Sequence, residues 1–538
     1  IRLFGRPSGA LPELNSAPRP DDLTEMALFV TGAEDNRFDE DDRVLFYGQE
    51  ATRWTLVDSG GKTYKRERNY YSDTTYYYLC VDSGVEGLRV GAKASLPVEN
   101  ATTVISEFPD FFWHEEEQFS PYSIGQNWFG ERLSAGNLSL SIPFVFPNLV
   151  KTKPLTVKSS IMGRVKPGNV FYNVMIGDNH VAANASIGSY GNNYFGKVSN
   201  IDKQITLETD SAQFDLSMVS HETAAIYLDY VEIYAWRLLK RTGSNFLFRL
   251  MPSQFGAEKS AVWAQNATAN YWLWEVTSPL QPVRQEGMLS GGNLVFATDE
   301  QLEKRYVMFD PASAFQIAAW TKLHNQNVHS IASADNLILT STLFLEQAQA
   351  LADYHAEKDG LECVVVDVDE IYNEFSAGTP DPTAIRDFVR MVYLRSNGRM
   401  KYLTLFGRAS FDFRNILGYK QNFVPTYETA ESPQWELSFC ADDYFGLMDE
   451  DEGLNCRGRV DIGIGRLPLA TVAEAETMLN KIRHYDDLSA SHGPWKADLM
   501  LFADDESWSY VDYAEKYGRS LDTICPSLTQ KKLFCGAY

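Results

Sequence analysis

The stretch Asp335–Val368, DNLILTSTLFLEQAQALADYHAEKDGLECVVVDV, reads as strand, helix, strand. DNLILTS and LECVVVDV are strand-sized apolar runs, and LFLEQAQALADYHAEK between them is an amphipathic helix. The alternation continues downstream: PTAIRDFVRMVYLRS (helix), KYLTLFG (strand), VDIGIGR (strand), TVAEAETMLNKIRHYDDL (helix), DLMLFAD (strand), SYVDYAEKYGRSLDTI (helix) and QKKLFCG (strand). Strands feeding helices feeding strands imply a mainly parallel sheet whose crossovers cover both faces. Ligand sites of such sheets lie at the carboxyl ends of the strands. That rule points to Gly407, Gly465, Arg466, Asp504 and Asp505.

Upstream of about Val328 the texture is different. RVLFYG, TTYYYLCV, NLSLSIPFVF, AAIYLDYVEIYAW, NFLFRLM and NLVFAT are short alternating runs separated by Gly, Asn, Asp and Pro clusters, the pattern of sandwiches or barrels. Changes of texture near Glu107–Ser123 and Arg249–Lys259 suggest soft boundaries. The expected organisation is a β-rich region over 1–110, a sandwich-like domain over 111–250, a small β unit over 251–326 and an α/β domain over 327–538, incomplete at its C-terminus. A chain of 538 residues has room for three or four such units. Its net charge of −24, spread along the length, argues against nucleic acid as a partner. No run is long enough for a membrane helix, and the start at Ile1 shows no signal peptide, as expected of a processed or partial chain.

Several side-chain groups could carry chemistry. In LFADDESW, Asp504 follows an apolar strand, where a carboxylate can orient a catalytic imidazole or bind a cation; the alternative is that an Asp or Ser there caps the next helix. DDYFGLMDEDEG (Asp442–Gly453) is rich enough in oxygen ligands to leave calcium possible, but lacks EF-hand spacing and reads more simply as a solvated acidic loop; EDNRFDEDD (Glu34–Asp42) reads as a turn between strands. Cys440 with Cys456, or Cys525 with Cys535, could pair in an oxidising compartment, though separate thiols are the simpler reading. No zinc-ligand spacing occurs among the cysteines and histidines. His492, before Gly493, falls in a polar loop where a helix end favours Gly and a cation; His114 and His355 show no partner at a useful spacing.

The strings HSIASADNLILTS, YLTLFG, DDYFG, VDIGIGRLPLATVAEAETMLNKIRHY and DLMLFADDE, together with the long run from Gln347 to Tyr393, form a collinear series that resembles the gingipain-type cysteine peptidases. Within that family it is similar to the cell-surface sortases of the type IX secretion system, over Asn327–Tyr538, with weaker similarity reaching nearly to Ile1. The resemblance implies a caspase-like sheet and a His–Cys dyad. Both members would lie downstream of QKKLFCGAY, so neither His492 nor Cys535 matches, and a protein consisting only of Ile1–Tyr538 is expected to be inactive. The carboxylate that orients the His matches Asp504. Where the family commonly has Gly-Asp-Gly-Ser-Tyr-Asp, this chain has GRASFD (Gly407–Asp412), so a cation site using the first Asp loses it to Arg408, although Asp412 remains.

The implied chemistry is attack of a thiolate on a peptide carbonyl, protonation of the leaving amine by imidazolium, and resolution of the thioester by water or by an amine. For the sortase branch the implied outcome is removal of the C-terminal signal domain of secreted cargo and transpeptidation to anionic lipopolysaccharide on the outer-membrane surface, with a PorV-like outer-membrane β-barrel as partner and no required cofactor. A secreted gingipain-like endopeptidase and a non-catalytic adhesion or scaffold protein are the alternatives, distinguished by the product formed and by the presence of the dyad.

Overall fold

Asn336–Thr340 (β1) is buried at every position, with the apolar run Leu337–Leu339 at its centre, as befits a strand in the middle of a parallel sheet. In the computed structural model, which describes residues 1–32, 37–57, 64–82, 84–219 and 221–537, β1 lies between Cys363–Asp367 (β2) and Tyr402–Phe406 (β3), and Gly463–Leu467 (β4) adds outside β3. All three pairings are parallel, giving the order β2-β1-β3-β4. Helix α1 (Leu345–Asp359) makes the crossover from β1 to β2 and stops at Gly360, which takes the left-handed conformation at φ 67°. Helices α2 (Val368–Phe375) and α3 (Pro382–Arg395) link β2 to β3. The Asp381 carboxylate accepts the Thr383 N–H at 2.8 Å and Pro382 occupies the first turn, which fixes where α3 begins. Leu337, Leu339, Leu403 and Leu405 form one core with Ile371, Phe388, Val389 and Val392.

The β-rich part precedes this layer, and among the described residues the first α-helix is α1. A sandwich is built from a sheet containing Glu107–His114, Ala225–Leu238, Leu155–Arg164 and Lys197–Ile205 and a second containing Ser139–Val145, Ser211–Met218, Asn169–Ile176 and Asn179–Gly188. Alternate residues of the two sheets, among them Val157, Ile161, Val231, Val174 and Phe214, fill the space between them. A further pair of sheets draws strands from 91–93, 103–105, 245–250 and 260–309 around Phe246, Phe248, Phe296 and Tyr306. Strands from either side of residues 110 and 250 therefore share sheets. The run His114–Glu117 alternates as a strand would: Glu115 and Glu117 turn inward to Arg66, Arg68 and Arg414, while Glu116 is exposed.

One irregular segment crosses from the N-terminus onto the α/β layer. The Leu11 N–H donates to Asp381 Oδ2 at 2.8 Å, Asn15 Nδ2 donates to the Leu447 and Asp449 carbonyls, and Arg19 makes a two-pronged contact with Asp387. Glu13 accepts the Asn455 N–H at 2.7 Å.

By contact the chain divides into two units, Ile1–Ala470 and Thr471–Tyr538. The second unit holds α4 (Val472–Asp486), α5 (Leu488–Ser491), β5 (Asp498–Ala503), α6 (Trp508–Ile524) and β6 (Thr529–Phe534), with β5 and β6 paired in parallel. Gln530 Nε2 on β6 donates to the Gly518 carbonyl of α6 at 2.8 Å. The expected fold, β-rich domains followed by a mainly parallel α/β layer, is the one observed.

Candidate active-site region

Arg466, near the carboxyl end of β4, organises the loops beyond the parallel sheet. Its guanidinium donates from Nε and Nη2 to the two oxygens of Asp442, both at 2.7 Å. Nη1 donates to the Gly407 and Val424 carbonyls at 2.9 and 2.6 Å, and Nη2 also to Pro425 O at 2.9 Å. All five N–H bonds of the fork are therefore engaged, a geometry that Lys could not reproduce. Gly407 follows β3 at φ +155°, and a Cβ there would lie 3.1 Å from Val424 Cγ2, so glycine permits the close approach that Arg466 locks. Of the residues expected at the strand ends, Gly407 and Arg466 thus meet, with Asp442 joining them. Gly465 is exposed on β4, and Asp504 and Asp505 belong to the other unit.

The carboxylates around this fork are bound by protein. Asp412 is buried and accepts the Ile416 and Leu417 N–H groups at 2.6 and 2.7 Å, one on each oxygen, so it closes a turn. Arg408 is exposed; its backbone N–H donates to the Leu469 carbonyl at 3.0 Å. In the acidic loop, Glu450 pairs with Arg390 at 2.6 Å and Glu452 accepts the Asp449 and Arg459 N–H groups. Among the described residues no group of three or more His, Cys, Asp or Glu side chains could hold a metal ion. The loop is solvated in part: Asp443, Asp449 and Asp451 are exposed, while Asp442, Glu450 and Glu452 are held by protein groups. Of the other acidic stretch, residues 34–36 fall outside the described residues; the Asp39 N–H donates to the Asp42 carboxylate at 2.7 Å, a local turn.

A crevice of about 450 Å³ opens beside the fork, lined by Cys440, Asp442, Asp443, Leu447, Cys456 and Val460 among others. All six cysteines are free, in line with the simpler reading of separate thiols, and neither possible pairing forms. Burial pushes up the thiols of Cys363, Cys440 and Cys456, the last to about 11. A nucleophilic cysteine needs the opposite shift.

Sequence reasoning did not single out Glu428, which faces Cys440 across a two-residue strand pair. Its side chain is buried, burial pushes its carboxyl up to about 8, and a hydrogen bond from the Gly125 N–H offsets only part of that. The neighbouring Gln126 donates from Nε2 to the Glu428 carbonyl at 2.6 Å. A Tyr-Glu pair inside a polar stretch carries no burial signal of its own.

The histidines also depart from expectation. His355 has a partner one helical turn on, Asp359, at 2.7 Å, a spacing that was readable in the sequence. His114 Nε2 meets Glu131 at 2.6 Å through strand pairing. His329 Nδ1 lies 2.5 Å from Glu374, with its ring stacked on Phe375. His492 is exposed at the end of α5; the following Gly493 is extended at φ −175° and avoids the Trp495 ring, which a Cβ would approach to 2.6 Å. Gly493 therefore answers a close contact, and no left-handed turn is present.

Asp504 lies directly after β5 and is exposed; its Oδ1 accepts the Asp505 N–H at 2.8 Å. The N-cap of α6 is Ser507, which accepts the Ser509 N–H. The cap is thus the serine of this stretch, and neither Asp504 nor Asp505 fills it.

Residues 329–538 match the family described as Peptidase family C25, the gingipain family. The fold matches the crystal structure of dimeric latent PorU from Porphyromonas gingivalis at a TM-score of 0.79 and 22% identity, over 96% of this chain and 51% of that one. The chain therefore spans about half the length of that relative. Two carbohydrate-binding modules, the CBM36-1 domain of a multidomain xylanase from the hindgut metagenome of Trinervitermes trinervoides and the C-terminal CBM6 of LamC from Zobellia galactanivorans, each align with 23% of this chain, over 96% and 98% of their own lengths, at 13% and 9% identity, with TM-scores of 0.15 that are too low to speak to the fold. No curated protein sequence matches.

Proposed function

We propose that the complete protein, with a gingipain-family segment on a PorU-like fold, is a cysteine peptidase that acts as a sortase of the type IX secretion system. It removes the C-terminal signal domain of secreted cargo and passes the new carboxyl end by transpeptidation to anionic lipopolysaccharide. It works on the outer surface of a Bacteroidota outer membrane, beside a PorV-like β-barrel. The observation that carries the reading is the C25 match, which coincides with the segment that builds the parallel sheet and its carboxyl-end loops. No helix among the described residues is long and apolar enough to cross a membrane, which leaves a surface position open and says nothing of a β-barrel.

Asp504 is the carboxylate assigned to orient the catalytic imidazole. The His and Cys of the dyad are assigned to positions outside Ile1–Tyr538; burial raises the thiols of Cys363, Cys440 and Cys456, which argues against those three as the nucleophile, since a thiol that resists ionisation makes a poor nucleophile. The deciding experiment gives the complete protein a cargo ending in its signal domain together with an amine-bearing lipopolysaccharide acceptor, and analyses the new carboxyl terminus by mass spectrometry. An amide conjugate is expected. A free carboxylate alone would make the protein an endopeptidase, and uncleaved cargo would make it a scaffold.

A further inference from the structure

Residues 427–441 lie between β3 and β4, and their regular structure is the two-residue pairing of Tyr427–Glu428 with Cys440–Ala441. Between those strands Trp435 is 58% exposed, Leu437 52% and Phe439 41%, so the large apolar side chains bury little. The segment is docked on the β-sandwich by hydrogen bonds instead. The Gln126 N–H donates to the Thr429 carbonyl at 2.9 Å, the Phe195 N–H to the Pro433 carbonyl at 2.7 Å and the Trp435 N–H to the Asn193 carbonyl at 3.1 Å. Asn193 Nδ2 donates to Glu436 at 2.6 Å. A segment with little buried apolar surface and hydrogen bonds at its margin opens at a lower free energy than the core.

Glu428 sits at the root of this segment, and among the described residues its Oε2 is buried without a hydrogen-bond partner. From the sandwich it is faced by the Gly125 N–H, which donates to its carboxyl, and by the Gln126 side-chain amide, which bonds the Glu428 carbonyl at 2.6 Å and the Tyr71 hydroxyl at 2.9 Å. Across the strand pair it is faced by Cys440. Two residues further on stands Asp442, both of whose oxygens are taken by Arg466, so that cation is committed elsewhere. On the segment itself Glu431 packs against Gly125, where a Cβ would come within 2.4 Å of the Glu431 carbonyl oxygen. We propose that Glu428 is a proton latch: protonated, it lets residues 427–441 stay docked on the sandwich, and ionised, it releases them together with the wall that Phe439, Cys440 and Ala441 give the crevice beside Arg466. A buried carboxylate with one backbone donor and no counter-charge is costly, and opening hydrates both its oxygens. Burial raises the carboxyl from 4.5 to about 8, so between those values the docked state keeps its proton and the open state gives it up. Rising pH therefore favours opening. The opening constant grows by about tenfold per pH unit across that interval, roughly three-thousandfold in all.

The test is amide hydrogen exchange, read by mass spectrometry, on the Ile1–Tyr538 protein and its Glu428→Gln variant from pH 5 to 9. At each pH the wild-type rate is divided by the variant rate, which cancels the intrinsic pH dependence of exchange. For residues 193–196, 433–437 and the crevice wall 439–441 the ratio should climb by about tenfold per pH unit and level off near pH 8, while for β1, residues 336–340, it should stay near one. Should the variant fail to fold, the wild type decides alone: its exchange at 433–437 relative to 336–340 must climb over the same range. A ratio near one at every pH would overturn the proposal. So would a rise shared equally by β1, since ionisation would then unfold the whole layer, or a rise at 433–437 that leaves 439–441 unmoved, since the crevice would then be uncoupled from the latch.

Discussion

Replacing Glu428 by Gln should make the protein more stable at alkaline pH and leave it nearly unchanged in acid. Burial raises the Glu428 carboxyl from 4.5 to about 8. The unfolded chain loses this proton near 4.5 and the folded chain keeps it until about 8. Between those values the folded state holds more protons, so its stability falls as pH rises through the window and is flat above it. At about 1.4 kcal/mol per pKa unit, ionised Glu428 costs on the order of 5 kcal/mol at pH 9. Gln keeps the shape of the protonated acid and never ionises, so it removes that cost. It can also still accept the Gly125 N–H. The assay is thermal unfolding of both proteins from pH 4.5 to 9.5, followed by differential scanning calorimetry. The difference in melting temperature should be close to zero at the acid end and should favour the Gln variant by several degrees at the alkaline end, the rise centred between 4.5 and 8. A difference that stays constant with pH, or a Gln variant that melts lower at pH 9, would refute the reasoning, since either result means that Glu428 is hydrated or paired in solution.

Arg466→Lys removes the Asp442 fork and at least two of the carbonyl contacts, and should cost about 2–3 kcal/mol, the range for hydrogen bonds to a charged group; limited proteolysis should show new cleavage within residues 408–442. Asp504→Asn in the complete protein should leave melting unchanged while lowering turnover roughly ten- to ten-thousand-fold, with Asp505→Asn as the silent control. Ser507→Ala should cost about 1 kcal/mol through the lost cap, seen as a lower melting temperature. Alkylation of Cys456, followed by mass spectrometry, should be slow at neutral pH and accelerate about tenfold per pH unit until the pH nears the value of about 11 that burial imposes.

The parallel layer was legible because local and global signals agree there. The centre of β1, Leu337–Leu339, is apolar without a break because both its faces are covered, and the helices beside it carry the 3.6-residue period on one side only. The cap of α6 was half legible: the Asp-Asp-Glu-Ser run announces a helix start, but only backbone geometry decides which of its side chains turns back onto the Ser509 N–H. The cysteines agree with the simpler reading of separate thiols. Cys440 and Cys456 line one crevice, yet a disulfide also needs Cβ vectors that converge, which residue separation cannot supply.

What stayed hidden is long-range. Asn15 and Leu447 are far apart in sequence, and the contact between them uses a side-chain amide and a backbone carbonyl, neither of which leaves a periodic trace. Arg466 is similar, since its five acceptor oxygens, on Gly407, Val424, Pro425 and Asp442, belong to segments between the strands that carry no pattern before folding brings them to the strand end. The strand-end rule located Arg466 without giving its role, because topology fixes where a side chain stands and the surrounding loops fix what it holds. Glu428 is the extreme case: a carboxylate in a polar run is normally exposed, and its burial follows from the Gly125–Gln126 turn closing over it from the β-sandwich. The functional region therefore depends on contacts between the β-rich part and the α/β layer. A peptidase segment cut out at residue 327 would lose the Leu11, Asn15, Arg19 and Gln126 contacts that hold its loops, so the β-rich half is part of the scaffold of the site, whatever it docks to.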